Sequence, residues 1–364
     1  MIIITIILGI LILPVIIYLF VLLYAKRENN DNQNLTTKRP SELSVILPCY
    51  NESHNIERKI NELLKECNYL ENYEIIIIDD GSTDSTRMEI ENNVNIEQLK
   101  KYYFNERKGK ANALNFGVSK ARFDILLLTD ARQSMSEGAI YHLISHFQVP
   151  SIGAVSAKLI NGQRKSLIRS SINCLKKHES DLGSTVGVYG ALYAMRKKCY
   201  TKIPDETILD DLLIPLHVLH QGQKVKFEEN AIVFDLEIGN FYSINRSIRL
   251  VQGLLQVIRS HSSLILSLPP RAVLFLFCQK YFKLFIPILI IMLIVIFFYS
   301  INLKLLTIII ISFFTMIFFL GIREASLLVR LSAILLLKIF KLQKTNTKWE
   351  KLEKNPSTKG HYKT

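Results

Sequence analysis

The chain has 364 residues and a formal net charge of +13 at pH 7. This length allows one substantial folded domain with accessory segments. No nucleic-acid-binding motif accompanies the charge, so we assign it to a membrane surface rather than to nucleic acid. The five cysteines have neither CxxC nor any other metal-ligand spacing, which excludes a zinc-finger class of protein and favours reduced cytosolic thiols.

The chain opens with an apolar run, residues 1–25, that is long enough to cross a bilayer. It is too long for the apolar core of a signal peptide and has no basic residue before it. We therefore predict an N-terminal transmembrane anchor. Lys26 and Arg27 follow at once, and the positive-inside rule then places the next domain in the cytoplasm. The polar, Asn-rich residues 26–42 predict a linker.

A strand–helix–strand unit is predicted at the start of the domain that follows, which we bound at residues 43–240. Residues 44–49 and 74–79 are short apolar runs, and apolar residues recur at helical spacing between them. The two strands should pair in parallel, and ligands of such sheets bind beyond the carboxyl ends of the strands. Those ends carry a ring and several acids that suit a nucleotide: Tyr50, Glu52, Asp79, Asp80 and Asp84. The competing interpretation is an ordinary polar turn at each strand end.

Three further motifs are predicted at the same edge of the sheet. Residues 105–117 form a basic, glycine-containing loop that enters a helix, where Lys108 and Lys110 suit an anionic group. Residues 124–130 predict a buried strand that ends at Asp130, which is placed to bind a metal or a ribose. Residues 186–196, which include Gly190, are rich in small residues and strand-like, and they indicate a close backbone approach.

Paired carboxylates begin the next predicted helix. Asp210 and Asp211 precede an apolar run, where they either cap the helix or act as a catalytic base. His217 and His220 in the same helix have the spacing of a metal pair, but no third ligand is at hand.

The rest of the chain predicts a membrane-associated region. Residues 241–283 alternate apolar and basic positions and predict amphipathic helices in the membrane interface. Residues 284–322 predict two transmembrane helices, and residues 323–342 an interfacial helix or a further span. The tail, residues 343–364, is basic, and three spans return it to the cytoplasm. We therefore predict a multi-pass protein of the plasma (inner) membrane with a cytoplasmic domain.

In this order, the motifs resemble those of the membrane-anchored family-2 glycosyltransferases. That family includes synthases of cellulose, hyaluronan and poly-N-acetylglucosamine and many bacterial enzymes of surface-polysaccharide assembly. The resemblance rests on PCYNE at 48–52, DDGSTD at 79–84, KGKANALN at 108–115 and the acid pair at 210–211. It implies a GT-A fold, in which one mixed α/β sheet has a nucleotide-binding half and an acceptor half.

The resemblance also implies a nucleotide-sugar pocket, with UDP as the expected nucleotide. Pro48 and Tyr50 would flank the uracil, and Asp80 would hydrogen-bond to it. Glu52 and Asp79 would shape the same pocket.

The catalytic residues follow from the same resemblance. Lys110 would lie near the diphosphate and Gly190 near the acceptor side. Asp130 holds the first position of the DxD motif and would bind Mg²⁺ or Mn²⁺. Asp211, with Asp210 beside it, would be the general base of an inverting transfer.

Two positions depart from the family pattern. The second acid of the DxD motif is replaced by Arg132, and we expect this arginine to take over part of the neutralisation of the diphosphate charge and so to weaken the metal dependence. The QxxRW motif reads RSIRL: Arg246 and Arg249 remain as candidate acceptor or diphosphate ligands, whereas Leu250 replaces the tryptophan that holds acceptor sugar. This favours a short transfer over long processive synthesis.

The expected partners are a nucleotide-sugar donor, a glycan or lipid-linked acceptor and membrane lipids, with no nucleic acid. Other polysaccharide-assembly proteins or a second copy of the chain are further expected partners for polymer export. The alternatives are a processive polysaccharide synthase and a catalytically silent scaffold of a polysaccharide-assembly complex.

Overall fold

The computed structural model describes residues 2–24, 39–92, 96–161, 167–235 and 244–282, with isolated positions up to 292. The predicted spans at 284–322, apart from those isolated positions, and the segments 323–342 and 343–364 lie outside the described residues. The strands are β1 (Glu42–Cys49), β2 (Asn72–Asp79), β3 (Leu99–Tyr103), β4 (Ile125–Thr129), β5 (Ser134–Met135), β6 (Ile152–Asn161), β7 (Leu192–Arg196) and β8 (Lys224–Asp235). The helices are α1 (Ile2–Tyr24), α2 (Ile56–Cys67), α3 (Thr86–Glu91), α4 (Lys110–Lys120), α5 (Ala139–Ser145), α6 (Leu167–Asp181), α7 (Asp210–His220), α8 (Ile244–Ser260), α9 (Ser262–Leu266) and α10 (Pro270–Leu276), followed by a π-helical turn at Phe277–Tyr281.

The strands form one eight-stranded sheet in the order β3-β2-β1-β4-β7-β6-β8-β5. β1 pairs in parallel with β2 over its whole length, and also in parallel with β4, whereas β7 runs antiparallel to both β4 and β6. The predicted mixed α/β sheet is confirmed. The carboxyl ends of β1, β2 and β4 therefore meet at one edge, next to the end at which β7 begins.

Alternating residues of the central strands face two separate apolar layers, as the period of two along a strand requires. Ile46 and Ile76 belong to a cluster shared with α4 and α7. Val45 and Ile75 belong to a second cluster shared with α2 and α5. Because both faces of these strands are covered, the strands read as continuous apolar runs, a pattern typical of buried parallel sheets.

Two predicted boundaries differ from the structure. β1 begins at Glu42, one residue inside the predicted linker. Residues 186–191 are not part of a strand, because β7 begins only at Leu192. The reason is local: the preceding segment leaves the sheet and bonds to the start of α7, where Val188 N donates to Asp211 O at 3.2 Å.

The helices after the domain pack on its first apolar cluster. Leu254 and Val257 of α8 are buried there together with Phe275 of α10. The predicted amphipathic helix is thus present, but its most buried stripe faces protein. Its contact with a membrane surface stays a prediction.

The N-terminal helix contacts the same region. Side chains of α1 are described from Ile12 onward. Tyr18 is buried, and its ring meets Phe275 edge-on with 5.5 Å between the centroids. Leu13, Phe20 and Leu23 on the other sides of the helix are exposed. Within the portion of the chain that the structure describes, we find no helix whose length and apolar character suffice to cross a membrane.

Candidate active site

The turns that follow β1 and β2 are joined by backbone and side-chain hydrogen bonds. Asn51 adopts a left-handed conformation, with φ of 54°, and its backbone N–H donates to Ser82 Oγ at 2.9 Å. Its side-chain oxygen accepts from Thr83 N at 2.8 Å. Glu52 N donates to Thr86 Oγ1 at 2.8 Å. These bonds fix the two strand ends as one unit, and the role of Asn51 in joining them was not predicted from the sequence. Its position before an acid in a turn was the available signal.

The structure brings the predicted donor-pocket residues together at this edge. Pro48 and the residue after it pair with Ile78 and Asp79 of β2, so Tyr50 directly follows the paired strand end. Asp79 is almost fully buried, and one of its oxygens accepts from Ser82 N at 3.1 Å. Burial raises the pKa of Asp79 above its ordinary value.

Asp80 has a different set of partners from the one that the resemblance implies. Its carboxylate is inaccessible to solvent and accepts from Lys108 N at 2.7 Å and from Gly109 N at 2.8 Å. Burial raises the pKa of Asp80, although these two N–H donors act in the opposite direction. Asp80 therefore holds the basic loop against the β2 turn, and its direct contact with a uracil stays a prediction.

A second group of charges lies where α4 and α7 begin. Lys110 Nζ lies 2.9 Å from Asp130 Oδ1 and 3.2 Å from Asp210 Oδ2. Burial lowers the pKa of Lys110, but the charges of Asp130 and Asp210 raise it more, so the ammonium stays charged. The predicted diphosphate and metal residues are thus adjacent. The sequence did not predict that Lys110 bridges two carboxylates that are far apart in the chain.

The two adjacent acids of α7 have different environments. Asp210 is buried, and burial raises its pKa. Asp211 is half-buried and faces Gly190. A Cβ at Gly190 would lie 3.3 Å from Asp211 Cβ and 3.6 Å from Lys110 Nζ. A side chain there would fill the space between the ammonium and the accessible carboxylate, which explains the glycine.

Arg132 forms an ion pair inside the donor half of the site. Its Nη2 lies 2.7 Å from Glu52 Oε1. The backbone of this turn is fixed by Arg58, whose Nη2 donates to Ala131 O at 3.3 Å and to Arg132 O at 2.8 Å. Arg132 thus connects the turn after β4 with the turn after β1. Arg58 was not predicted from the sequence.

The site fits a divalent ion only with the help of substrate. Asp130 Oδ1 and Asp210 Oδ2 are buried and receive no hydrogen bond of regular geometry, although Lys110 lies within ion-pair distance of both. Among the described residues, no group of three His, Cys, Asp or Glu side chains could hold a metal. Asp130 together with diphosphate oxygens would suit Mg²⁺ or Mn²⁺, which need few protein ligands. His217 and His220 belong to no such group, and His220 Nδ1 is hydrogen-bonded to Ser267 Oγ at 2.7 Å.

Helix α8 supports the start of α7. Gln256 Oε1 accepts from Ile208 N at 3.0 Å, and Gly253 lets α8 approach Leu209 so closely that a Cβ there would overlap the Leu209 side chain. Arg249 Nη2 lies 3.4 Å from Ile208 O. The side chain of Arg246 lies outside the described residues. The contacts of Gln256 and Gly253 with the start of α7 were not predicted, because the sequence pattern of this helix predicted a membrane element.

A buried polar cluster lies behind the loop that carries Gly190. The ammonium of Lys176 donates to Gly187 O. Glu179, one turn further along α6, accepts from Tyr18 OH at 2.8 Å and from Thr185 Oγ1 at 3.0 Å. Burial lowers the pKa of Lys176 and raises that of Glu179. The cluster connects α1 to the segment that lies against Asp211.

The domain is similar in sequence to known proteins. Residues 44–200 match the model of the family described as glycosyl transferase family 2. The poly-beta-1,6-N-acetyl-D-glucosamine synthase of Staphylococcus aureus (strain COL) is 28% identical over 222 residues, covering 57% of this chain and 53% of that protein. The synthase of the same name from Staphylococcus epidermidis is 26% identical over 226 residues, covering 58% and 54%. The chain thus spans about half the length of the curated relatives that it matches.

A solved structure shares the fold. The mannosyltransferase PcManGT from Pyrobaculum calidifontis, in complex with GDP-Man and Mn2+, superposes with a TM-score of 0.69, covering 94% of this chain and 99% of that one at 21% identity. At this identity the likeness shows a GT-A-like α/β fold.

Proposed function

We propose that the chain is an inverting glycosyltransferase that uses a UDP-sugar and acts on a membrane-proximal or lipid-linked glycan acceptor; the match of residues 44–200 to the glycosyl transferase family 2 model supports this. The observation that carries this proposal is the convergence of Lys110, Asp130 and Asp210 with the accessible carboxylate of Asp211 beside Gly190. This arrangement supplies charge for a leaving diphosphate and a base for an attacking hydroxyl at one place.

Asp211 is the base in this proposal. Its carboxylate takes the proton of the acceptor hydroxyl while that oxygen forms a bond to the anomeric carbon. The bond from the anomeric carbon to the diphosphate oxygen breaks, and the nucleoside diphosphate leaves with the electron pair. Asp210 is less suited to this role because it is buried and paired with Lys110.

Lys110 and Asp130 serve the leaving group. The Lys110 ammonium is oriented by two carboxylates, and it stabilises the negative charge that develops on the diphosphate. A divalent ion held by Asp130 and the diphosphate would supply further charge neutralisation.

The direct test is nucleotide release by the purified, detergent-solubilised chain. UDP-, GDP- and TDP-sugars are offered with a membrane lipid extract as the source of acceptor. We expect release from one donor, and Asp211→Asn should lower the rate by about 10² to 10⁴-fold, because it removes the base, while nucleotide binding is retained. Asp124→Asn is the matched control, since that exposed carboxylate precedes the opposite end of β4.

Two outcomes would count against the proposal. Full activity in Asp211→Asn would remove Asp211 from the mechanism. Silence across the panel without nucleotide binding would favour the scaffold alternative, whereas silence with nucleotide binding would show that an acceptor or partner protein is missing from the assay.

Polymer synthesis is the second candidate function. It is favoured by the name of the matched relatives, which is that of a polymer synthase. The exposed Leu250 on α8 favours a short transfer, because it offers no aromatic face to a sugar. The product length in the same assay separates the two: one added sugar per acceptor supports single transfer, and a ladder supports processive synthesis.

We place the chain at the plasma (inner) membrane, with its catalytic domain in the cytoplasm. The exposed apolar side chains of α1, such as Phe20 and Leu23, support this placement, as do the basic residues that follow the helix.

A further inference from the structure

A stripe of buried polar side chains on α6 contacts the loop that precedes β7. Asn173, Lys176 and Glu179 follow one another at three-residue spacing, which places them on one side of the helix, and all three are buried. Each of them contacts a different residue of the loop at 185–191. The loop is therefore held along its length and not at one point.

The three contacts engage every second residue of the loop, in the order opposite to that of the helix. Tyr189 OH donates to Asn173 Oδ1 at 2.8 Å, Lys176 Nζ donates to Gly187 O, and Thr185 Oγ1 donates to Glu179 Oε2 at 3.0 Å. The middle contact is made by an ammonium group. Burial of such a group is costly unless it is engaged, and its hydrogen bonds are stronger than those of a neutral donor.

Lys176 and the proposed base contact opposite ends of one peptide group. The carbonyl of Gly187 and the N–H of Val188 belong to the same planar unit. The carbonyl accepts from Lys176, and the N–H donates to Asp211 O at 3.2 Å. With both ends bonded, this peptide group cannot rotate without breaking a buried hydrogen bond, so its distance from the start of α7 is fixed.

The glycines of the loop make this support necessary. Gly187 and Gly190 have more backbone freedom than other residues, and the Cβ position of Gly190 lies only 3.3 Å from Asp211 Cβ. The far end of the loop is held as well, because Ala191 O accepts from Asp130 N at 3.2 Å. A loop that is fixed at 187–188 and at 191 keeps Gly190 at a constant distance from the Asp211 carboxylate.

We propose that Lys176 is a positioning residue for the transfer reaction: it fixes the 187–188 peptide group and so sets the space in which the acceptor hydroxyl meets Asp211. Lys176 lies behind the loop and is buried, so it acts through the backbone and does not touch substrate. This inference rests on the proposed function, in which Asp211 is the base.

The first test is Lys176→Met in the full-length, detergent-solubilised protein. Methionine keeps an unbranched side chain of similar length without a buried charge, so we expect the variant to fold. The rate of nucleotide release, with membrane lipid extract as the source of acceptor, is divided by the number of UDP sites that calorimetry finds. This rate should fall about 10- to 100-fold, the effect of a small misplacement of reacting groups. UDP affinity should change less than about twofold, because the lost contact serves the chemical step.

Lys197→Met is the matched control. Lys197 Nζ also donates to a backbone carbonyl, that of Ala121 at 2.6 Å. It directly follows β7, whose end lies at the edge of the sheet away from Asp211. The same substitution there should leave the rate per UDP site unchanged.

The second test asks whether Lys176 acts through Asp211. Lys176→Met is combined with Asp211→Asn, and a radiolabelled donor makes the low residual rate measurable. If Lys176 only positions the space beside the base, the double variant should be no slower than Asp211→Asn alone. Losses that multiply would show an effect independent of Asp211 and would overturn the inference.

Hydrogen exchange gives a measurement that does not depend on activity. In the wild type the Val188 amide should exchange slowly, because it is bonded to Asp211 O, and in Lys176→Met the loop at 185–191 should exchange faster while Leu99–Tyr103 is unchanged. Rapid exchange of Val188 in the wild type would contradict the fixed peptide group, even if the variant did not fold.

Failure of the inference and failure of the proposed function give different results. An unchanged rate per UDP site in folded Lys176→Met would overturn the inference and leave the proposed function intact. A wild-type protein that binds no nucleoside diphosphate would contradict the proposed function itself.

Discussion

At the scale of single residues, the Arg132–Glu52 pair decides how charge is distributed in the donor half of the site. Arg132 stands where the resemblance places the second acid of the DxD motif, and its Nη2 lies 2.7 Å from Glu52 Oε1. The pair is partly exposed, so its own contribution to stability is small. The pair instead connects the turn after β4, which also carries Asp130, with the turn after β1.

We predict that Arg132 makes the proposed transfer less dependent on a divalent metal. After Chelex treatment the wild type should retain measurable activity, and Arg132→Ala should lose most of that residual activity, because Lys110 is then the one positive side chain assigned to the diphosphate. The measurement is the initial rate of nucleotide release with and without added Mn²⁺. Arg122→Ala is the control, since it breaks an arginine–glutamate pair, that with Glu74 at 3.3 Å, away from the site.

The opposite pattern would contradict this prediction. A Chelex-treated wild type with no activity, together with an Arg132→Ala variant that is active once metal is restored, would show that Arg132 has no part in charge neutralisation.

At the scale of elements, the contact between the β2 turn and the basic loop positions both Asp80 and Arg107. Gly81 has φ of 70° and lies against the backbone of Glu106 and Arg107. Gly222, after α7, has almost the same conformation, with φ of 73°, but a Cβ there would meet nothing within 4 Å. Comparing substitutions at the two glycines therefore separates the cost of the left-handed conformation from the cost of steric overlap.

Gly81→Ala should destabilise the protein more than Gly222→Ala. Both changes place alanine in the left-handed region, which costs about 1–2 kcal/mol. Gly81→Ala also forces the loop away, for which we expect about 1–3 kcal/mol more. The measurement is urea unfolding of the detergent-solubilised chain, accompanied by UDP binding, which should weaken only in Gly81→Ala. Equal unfolding free energies would show that the loop yields without cost.

The N-terminal helix is joined to the loop that carries Gly187 and Gly190 by buried polar contacts as well as by apolar packing. Tyr18 donates to Glu179, and Lys176 on the same face of α6 donates to the carbonyl of Gly187. Buried polar groups need specific partners, so this cluster fixes the orientation of α1 more narrowly than apolar contacts would. The proposed anchor and the segment beside Asp211 thus belong to one packed unit.

At the scale of the whole molecule, the proposed cytoplasmic placement can be tested through Cys174. This residue of α6 is exposed, whereas Cys49, Cys67 and Cys199 are buried and Cys278 is half-buried. In a Cys278→Ser background, a membrane-impermeant maleimide should label the chain only after cells are lysed. The change Cys174→Ser should abolish this labelling. Labelling in intact cells would place the domain outside the cytoplasm.

Much of the domain follows from the sequence because its signals are local. The apolar runs that become β1 and β2 stop at Tyr50 and Asp80, and the acid pair at 210–211 marks the first residue of α7. Parallel pairing then brings the strand ends together, so the set of residues near the site was predictable. The helix Ile244–Ser260 was also predictable from the period of its apolar residues. What its apolar stripe contacts was not predictable, because an apolar pattern does not distinguish a protein surface from lipid.

The sequence by itself determined the α/β class, the strand ends and the acids that they carry, since each depends on neighbours in the chain. Only the tertiary structure decided that Asp80 holds the basic loop, that Lys110 bridges Asp130 and Asp210, and that Arg107 lies over Tyr50. Those contacts join residues 20 to 100 positions apart. Their geometry depends on how separate elements pack together, which no local pattern specifies.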